Sequence, residues 1–132
     1  MGSENVPAIG QIGWVNLTVS DAAAVRDFYR EVVGWESSPV AMGDHEDFTM
    51  TPPAGGPPVA GVCHARGKNA DLPPGWLVYI TVADVDESAR ACRELGGAVL
   101  KGPEVGPGHG RICVIRDPAG ATCALFQPAS GG

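Results

Sequence analysis

The chain is predicted to be an α+β protein built from two βαβββ modules, and three observations lead there. The stretch Trp14-Val15-Asn16-Leu17-Thr18-Val19-Ser20-Asp21 returns 63 positions later as Leu77-Val78-Tyr79-Ile80-Thr81-Val82-Ala83-Asp84. Each copy runs into a segment of helical periodicity, where Arg30-Glu31 and Gly34 answer to Arg93-Glu94 and Gly97. Each helix is then followed by short strand-like segments set off by Gly and Pro. Over 14–35 against 77–98, seven positions are identical, and they fall at strand, cap and helix-end positions. Such a unit is a duplicated half-domain, too long for an ordinary solenoid repeat.

Residues 1–8 are polar and contain Pro, and are expected to form a disordered arm. From Ile9 to Val19 the composition suits a strand, with Val15, Leu17 and Val19 on one face and Trp14, Asn16 and Thr18 on the other. Asp21, or Ser20, can cap the helix that follows by accepting from its free first-turn N–H groups. That helix carries Val25, Phe28, Tyr29 and Val32 as one apolar stripe, and Gly34 ends it in the left-handed conformation. Strands are expected at about 35–42, 46–51 and 58–64. Residues 66–75, rich in Gly and Pro, read as a linker.

The second half repeats this order. Strand 76–82 leads to Asp84, which with Glu87 makes a capping-box-like pair. The helix presents Val85, Ala89, Cys92 and Leu95 and stops at Gly96-Gly97. A short strand 98–101 and a loop from Gly102 to Gly110 come next. Strands 111–116 and 121–127 are joined by Asp117-Pro118-Ala119-Gly120, in which Pro sets φ and Gly takes the left-handed position.

With 132 residues, 44% hydrophobic and 18% charged, this is one soluble globular domain, able to bury roughly two-thirds of its unfolded surface. No apolar run approaches the roughly 20 residues that span a bilayer, and no secretory signal is visible, so a cytoplasmic location is expected. A net charge of −6 without basic clusters argues against nucleic acid or membrane as partner, while a cationic ligand is tolerated. Cys63, Cys92, Cys113 and Cys123 show no C-x-x-C spacing and read as small buried hydrophobes, with a Cys113–Cys123 disulfide possible but not expected.

Phe28-Tyr29-Arg30-Glu31-Val32-Val33-Gly34-Trp35, with Asp21 seven residues before Phe28, resembles the first module of the vicinal oxygen chelate superfamily. So does the second half: Tyr79 to Asp86, then Leu95-Gly96-Gly97, then Arg116-Asp117-Pro118-Ala119-Gly120-Ala121. The resemblance covers about 9–128 and is strongest to glyoxalase/bleomycin-resistance/dioxygenase-like proteins. It implies a single domain over 9–128: module one 9–65, linker 66–75, module two 76–128, then a tail 129–132. It also implies curved mixed sheets around a central cavity, with the helices outside.

Metal enzymes of that superfamily hold a divalent ion on residues whose positions here are Trp14, Leu77 and Ala124. A fourth lies on the fourth strand of module one, around Ala60 to His64. Indole, isobutyl and methyl groups supply no oxygen, imidazole or thiolate donor, so the standard metal site is expected to be absent, with no cofactor. The cavity face is expected to hold Trp14, Asn16 and Thr18 from one half and Leu77, Tyr79 and Thr81 from the other. Cys63 and His64 are adjacent on a strand, so only one of them can face the cavity. Asp44-His45-Glu46-Asp47 reads as a solvated turn. His109 and Arg111, on or beside a Gly-rich loop, are candidates to touch an acidic ligand group.

The function expected from these readings is binding of a small, partly aromatic molecule in the inter-module cavity, without the standard divalent metal. The ligand set is Trp14, Asn16, Thr18, Cys63, His64, Leu77, Tyr79, His109, Arg111 and Ala124. The alternative is a lyase, isomerase or dioxygenase with a non-standard site using His64, His45, His109 or Tyr79. A structural or partner-binding module is a third reading. A homodimer is expected, symmetric pairs being the commonest assembly.

Overall fold

The computed structural model of the chain describes residues 7–67 and 70–129. Most of the expected arm (1–6), two linker residues (68–69) and most of the tail (130–132) lie outside them. The chain falls into two compact units, one of Trp14–Leu77 and the other of the chain up to Gly13 together with Val78 onward. Each has the repeated order. In the first run, β1 (Ile12–Val19) and α1 (Ala22–Val33) precede β2 (Glu36–Ala41), β3 (Glu46–Thr51) and β4 (Ala60–His64). In the second, β5 (Gly75–Thr81) and α2 (Val85–Glu94) precede β6 (Ala98–Val105), β7 (Arg111–Arg116) and β8 (Thr122–Gln127).

In the Trp14–Leu77 unit the strand order is β2-β3-β4-β1, antiparallel except where β1 meets β4 in parallel. Parallel neighbours cannot be joined by a tight turn, and here the connection from β1 begins with α1. Asp21 caps that helix, its Oδ1 accepting from Ala24 N at 3.1 Å, and Gly34 ends it with φ 88°. Met50, Val62 and Phe48 from β3 and β4 meet Ala22 of α1, with Val19, Val25 and Trp35 packed around them. This cluster lies on the helix side of the sheet.

The expected α1 stripe is only partly buried. Val25 packs inward, but Phe28 and Val32 are 56% and 62% exposed. The small side chains of Ala22 and Ala23 take the sheet contact instead. The aromatic rings of this region pack on one another. Tyr29 stacks edge-on with Phe28 (5.1 Å between centroids) and Trp76 (5.7 Å), and lies against Trp35 at 5.6 Å. Such arrangements suit the ring quadrupoles and shield part of the apolar area that the sheet leaves uncovered.

In the other unit the order is β5-β8-β7-β6, with β5 parallel to β8. Asp84 caps α2, accepting from Asp86 N and Glu87 N. The Glu87 carboxylate does not close a reciprocal box; it is drawn into a chain of ion pairs with Arg90, which also holds Glu94. Val85 and Ala89 pack on Cys113 and Leu125. Leu95, expected on the buried stripe, lies past the helix end and is 76% exposed. The strand expected at 98–101 runs on to Val105 through two register shifts, which accommodate Gly102 and a cis Gly102–Pro103 bond. The β7–β8 turn forms as expected: Gly120 sits at φ 95°, and Asp117 Oδ1 accepts from Ala119 N and Ala121 N.

Met50 is fully buried at the centre of the first core. Met50→Ala is therefore expected to cost about 2–5 kcal/mol of stability, through lost transfer energy and an unfilled cavity. Urea denaturation, with an unchanged m-value, checks it.

Candidate ligand-binding face

The registers decide which side chains share the sheet face turned away from α1. Asn16 pairs with Gly61 and Thr18 with Cys63 across β1 and β4, and Thr49 of β3 pairs with Gly61. Side chains alternate along a strand, so Trp14, Asn16, Thr18, Asp47, Thr49 and Cys63 share the face opposite Phe48, Met50 and Val62. Trp14 donates its indole N–H to Asn16 Oδ1 at 2.5 Å. The Asn16 amide lies directly over Gly61, and a Cβ at position 61 would collide with its oxygen. The absent side chain at 61 is what lets Asn16 lie flat and hold the indole in place.

Beyond this row the face is more buried: Thr18, Asp47 and Cys63 are 3%, 5% and 9% exposed. Asp47 Oδ1 accepts from the His64 backbone N–H at 2.8 Å, so the carboxylate satisfies a main-chain donor at the end of β4. Burial, and then the Asp47 carboxylate beside it, push the Cys63 thiol up to about 12. It is a neutral thiol, without the character of a nucleophile.

Of the adjacent pair, Cys63 takes the face away from the helix. His64 faces α1, its Nδ1 accepting from Ala22 N at 3.3 Å at the start of the helix. The Asp44–Asp47 segment is not a uniformly solvated tip as expected. Asp44 and Glu46 are exposed, but Asp47 is buried as the second residue of β3, and the His45 side chain is only 9% exposed. His45 packs edge-on against the His64 ring at 5.6 Å between centroids and bonds Asp44 Oδ1 through Nδ1 at 2.7 Å. Sequence reasoning missed Asp47 and Gly61. The signal for Asp47 was its alternation with Phe48 and Met50.

In the other unit Tyr79 and Thr81 share the face away from α2, paired with Ala124 and Phe126. Leu77, the last residue of the Trp14–Leu77 unit, lies two positions before Tyr79 along β5; it and Ala124 are buried. His109 is exposed, with φ 66°, just before β7. Arg111 belongs to the helix-side face and donates to Asp86 Oδ1 of α2 at 2.8 Å. All four cysteines are free thiols. Cys113 and Cys123 are not directly opposite, since Cys113 pairs with Leu125 and Cys123 with Ile115.

The divalent ion implied by the sequence resemblance can be tested against these positions. The Trp14 N–H is a donor already given to Asn16, and Leu77 and Ala124 carry no ligating atom. Among the described residues no three His, Cys, Asp or Glu side chains are arranged to hold a metal. The residues present do not fit the standard site.

Residues 11–125 match the Glyoxalase/Bleomycin resistance protein/Dioxygenase superfamily, and the chain belongs to it. It is 33% identical over 133 residues to the anthracycline biosynthesis protein DnrV of Streptomyces peucetius, covering 98% of this chain and 46% of that protein. It is 34% identical over 122 residues to the putative glyoxylase CFP32 of Mycobacterium tuberculosis, covering 89% of this chain and 46% of that protein. The chain thus spans about half the length of these curated relatives. A methylmalonyl-CoA epimerase structure from Streptomyces coelicolor superposes with a TM-score of 0.60 at 21% identity, covering 93% of this chain and 100% of that one, a likeness of fold. No described helix is long and apolar enough to cross a membrane.

The raised Cys63 pKa has a stability consequence. Between an ordinary 9.0 and about 12 the native state keeps a proton that the unfolded chain has released. The Cys63 contribution is therefore complete below pH 9 and is lost as pH climbs towards 12. Thermal melts across that window are expected to fall more steeply for the wild type than for Cys63→Ala.

Proposed function

We propose that the chain binds a small, planar, partly aromatic molecule on the face carrying Trp14 and Asn16, without the divalent ion that its family's metal enzymes use. The observation that carries this is the indole of Trp14, held by Asn16 over the bare Gly61. An aromatic ring fixed by one hydrogen bond, with Thr49 next to it on the same face, offers a stacking surface and polar contacts together. Relatives named for anthracycline biosynthesis support an aromatic ligand. A cytoplasmic location and a homodimer complete the proposal; exposed Phe28, Val32 and Val33 on α1 offer an apolar surface for self-association.

2-Tetralone, a cyclic ketone fused to a benzene ring, is a suitable probe. It is expected to quench tryptophan fluorescence saturably, and a chelator should leave the titration unchanged. Trp14→Ala is expected to weaken binding about tenfold or more, equal to roughly 1.4 kcal/mol. Gly61→Ala should weaken it as well, by displacing Asn16. Binding that needs an added metal, or is indifferent to Trp14→Ala, would count against the proposal.

A further inference from the structure

Within the Trp14–Leu77 unit, aromatic rings gather where α1 ends. Gly34, at φ 88°, turns the chain back and brings Trp35 against Tyr29, with 5.6 Å between centroids and 39° between planes. Trp76, at the start of β5, stands edge-on to both: 5.7 Å from Tyr29 at 71°, and 6.3 Å from Trp35 at 73°. Phe28 buttresses Tyr29 from α1 at 5.1 Å. Trp35 packs on the cluster under α1, so the group lies on the helix side of the sheet, opposite the Trp14 face. Tyr29 and Trp35 are half-buried, and Trp76 is 42% exposed. The three centroids thus make a nearly equilateral triangle open to solvent at Trp76. A point roughly 3 Å above their plane lies within about 6 Å of every centroid, the range over which a ring quadrupole holds a cation.

The charges around the triangle set the sign of its occupant. Tyr29 belongs to the last part of α1 and Trp35 follows its cap, so the rings stand at the negative end of a 12-residue helix dipole. The arginines of that helix are engaged elsewhere. Arg26 lies over the Phe48 ring at 4.5 Å and 2.9 Å from Asp27, while Arg30 is 3.5 Å from both Asp27 and Glu31. Among the described residues no Lys or Arg of the chain lies over Tyr29, Trp35 or Trp76. The net charge of −6 favours the approach of a cation.

We propose that Tyr29, Trp35 and Trp76 form a binding site for a small quaternary ammonium ion, separate from the Trp14 face. A primary ammonium is strongly hydrated and needs acceptors that ring faces do not supply. A quaternary ammonium donates no hydrogen bond, and its methyl groups rest on the rings while its charge meets their negative faces and the helix end. Phe28 holds Tyr29 in place and is a positioning residue.

The test uses the full chain and choline, with the trimethylammonium proton signal followed by NMR. Saturable binding with an upfield ring-current shift is expected. The neutral isostere 3,3-dimethylbutan-1-ol should bind about fivefold more weakly or worse. Trp76→Ala should weaken choline by a similar factor, and Trp76→Phe should recover most of the loss. Saturating 2-tetralone should leave the choline shift in place. Equal binding of the neutral isostere would reduce the site to an apolar patch and overturn the proposal. So would the absence of a saturable shift, or indifference to Trp76→Ala. Displacement of choline by 2-tetralone would assign it to the Trp14 face instead. Trp76 is exposed enough for its variants to fold, which circular dichroism checks, so no substitution of the core-packed Trp35 is needed.

Discussion

In the Trp14–Leu77 unit, the rest of the structure depends on the parallel pairing of β1 with β4. Two parallel neighbours need a crossover, so the chain must leave the end of β1 and return through α1, β2 and β3 before β4 can align. The helix covers one face, and the two-residue period of the strands then sorts every side chain. Phe48, Met50 and Val62 go under the helix; Trp14, Asn16, Thr18, Asp47 and Cys63 go to the other side. The register Asn16 to Gly61 is one consequence of this pairing. A shift of one residue would place Val62 beside Asn16 and turn the polar row into the core.

The same constraint explains why polar groups are buried where they are. Asp47 lies where the backbone N–H of His64, at the end of β4, has a carboxylate for a partner. Burying a carboxylate is costly unless its oxygens are satisfied, and this one accepts from the His64 N–H and the Cys63 thiol. The face is thus held together by polar contacts, whereas the helix side is held by dispersion and burial. The positions that carry metal ligands elsewhere in the superfamily are filled here by an indole, a leucine and an alanine. What remains on this face is stacking surface, amide and carboxylate.

Much of the fold was legible because its signals are local. The caps Asp21 and Asp84, the left-handed Gly34 and the Asp117–Gly120 turn each depend on a few consecutive residues, and each forms as read. The readings that needed distant partners fared less well. Phe28 and Val32 fit a helical stripe, but the sheet meets the helix at Ala22, Ala23 and Val25, so that stripe is half uncovered. Arg111 was read as a ligand contact from its place beside a Gly-rich loop, while strand alternation turns it towards Asp86 of α2. Asp47 looked like part of a charged turn until its pairing within β3 made it the buried end of a strand.

The sequence by itself determined the duplication, the βαβββ order of each half, the family, and the absence of donor atoms at the standard metal positions. These follow from residue identity and short-range periodicity. Only the tertiary structure decided between Cys63 and His64, drew His45 and Asp47 together, and laid Asn16 over Gly61. Those outcomes depend on strand register and on which face the helix covers, and both are set by contacts between residues some 45 positions apart. Hydrophobic pattern assigns a residue to a strand, but pairing alone decides what stands beside it.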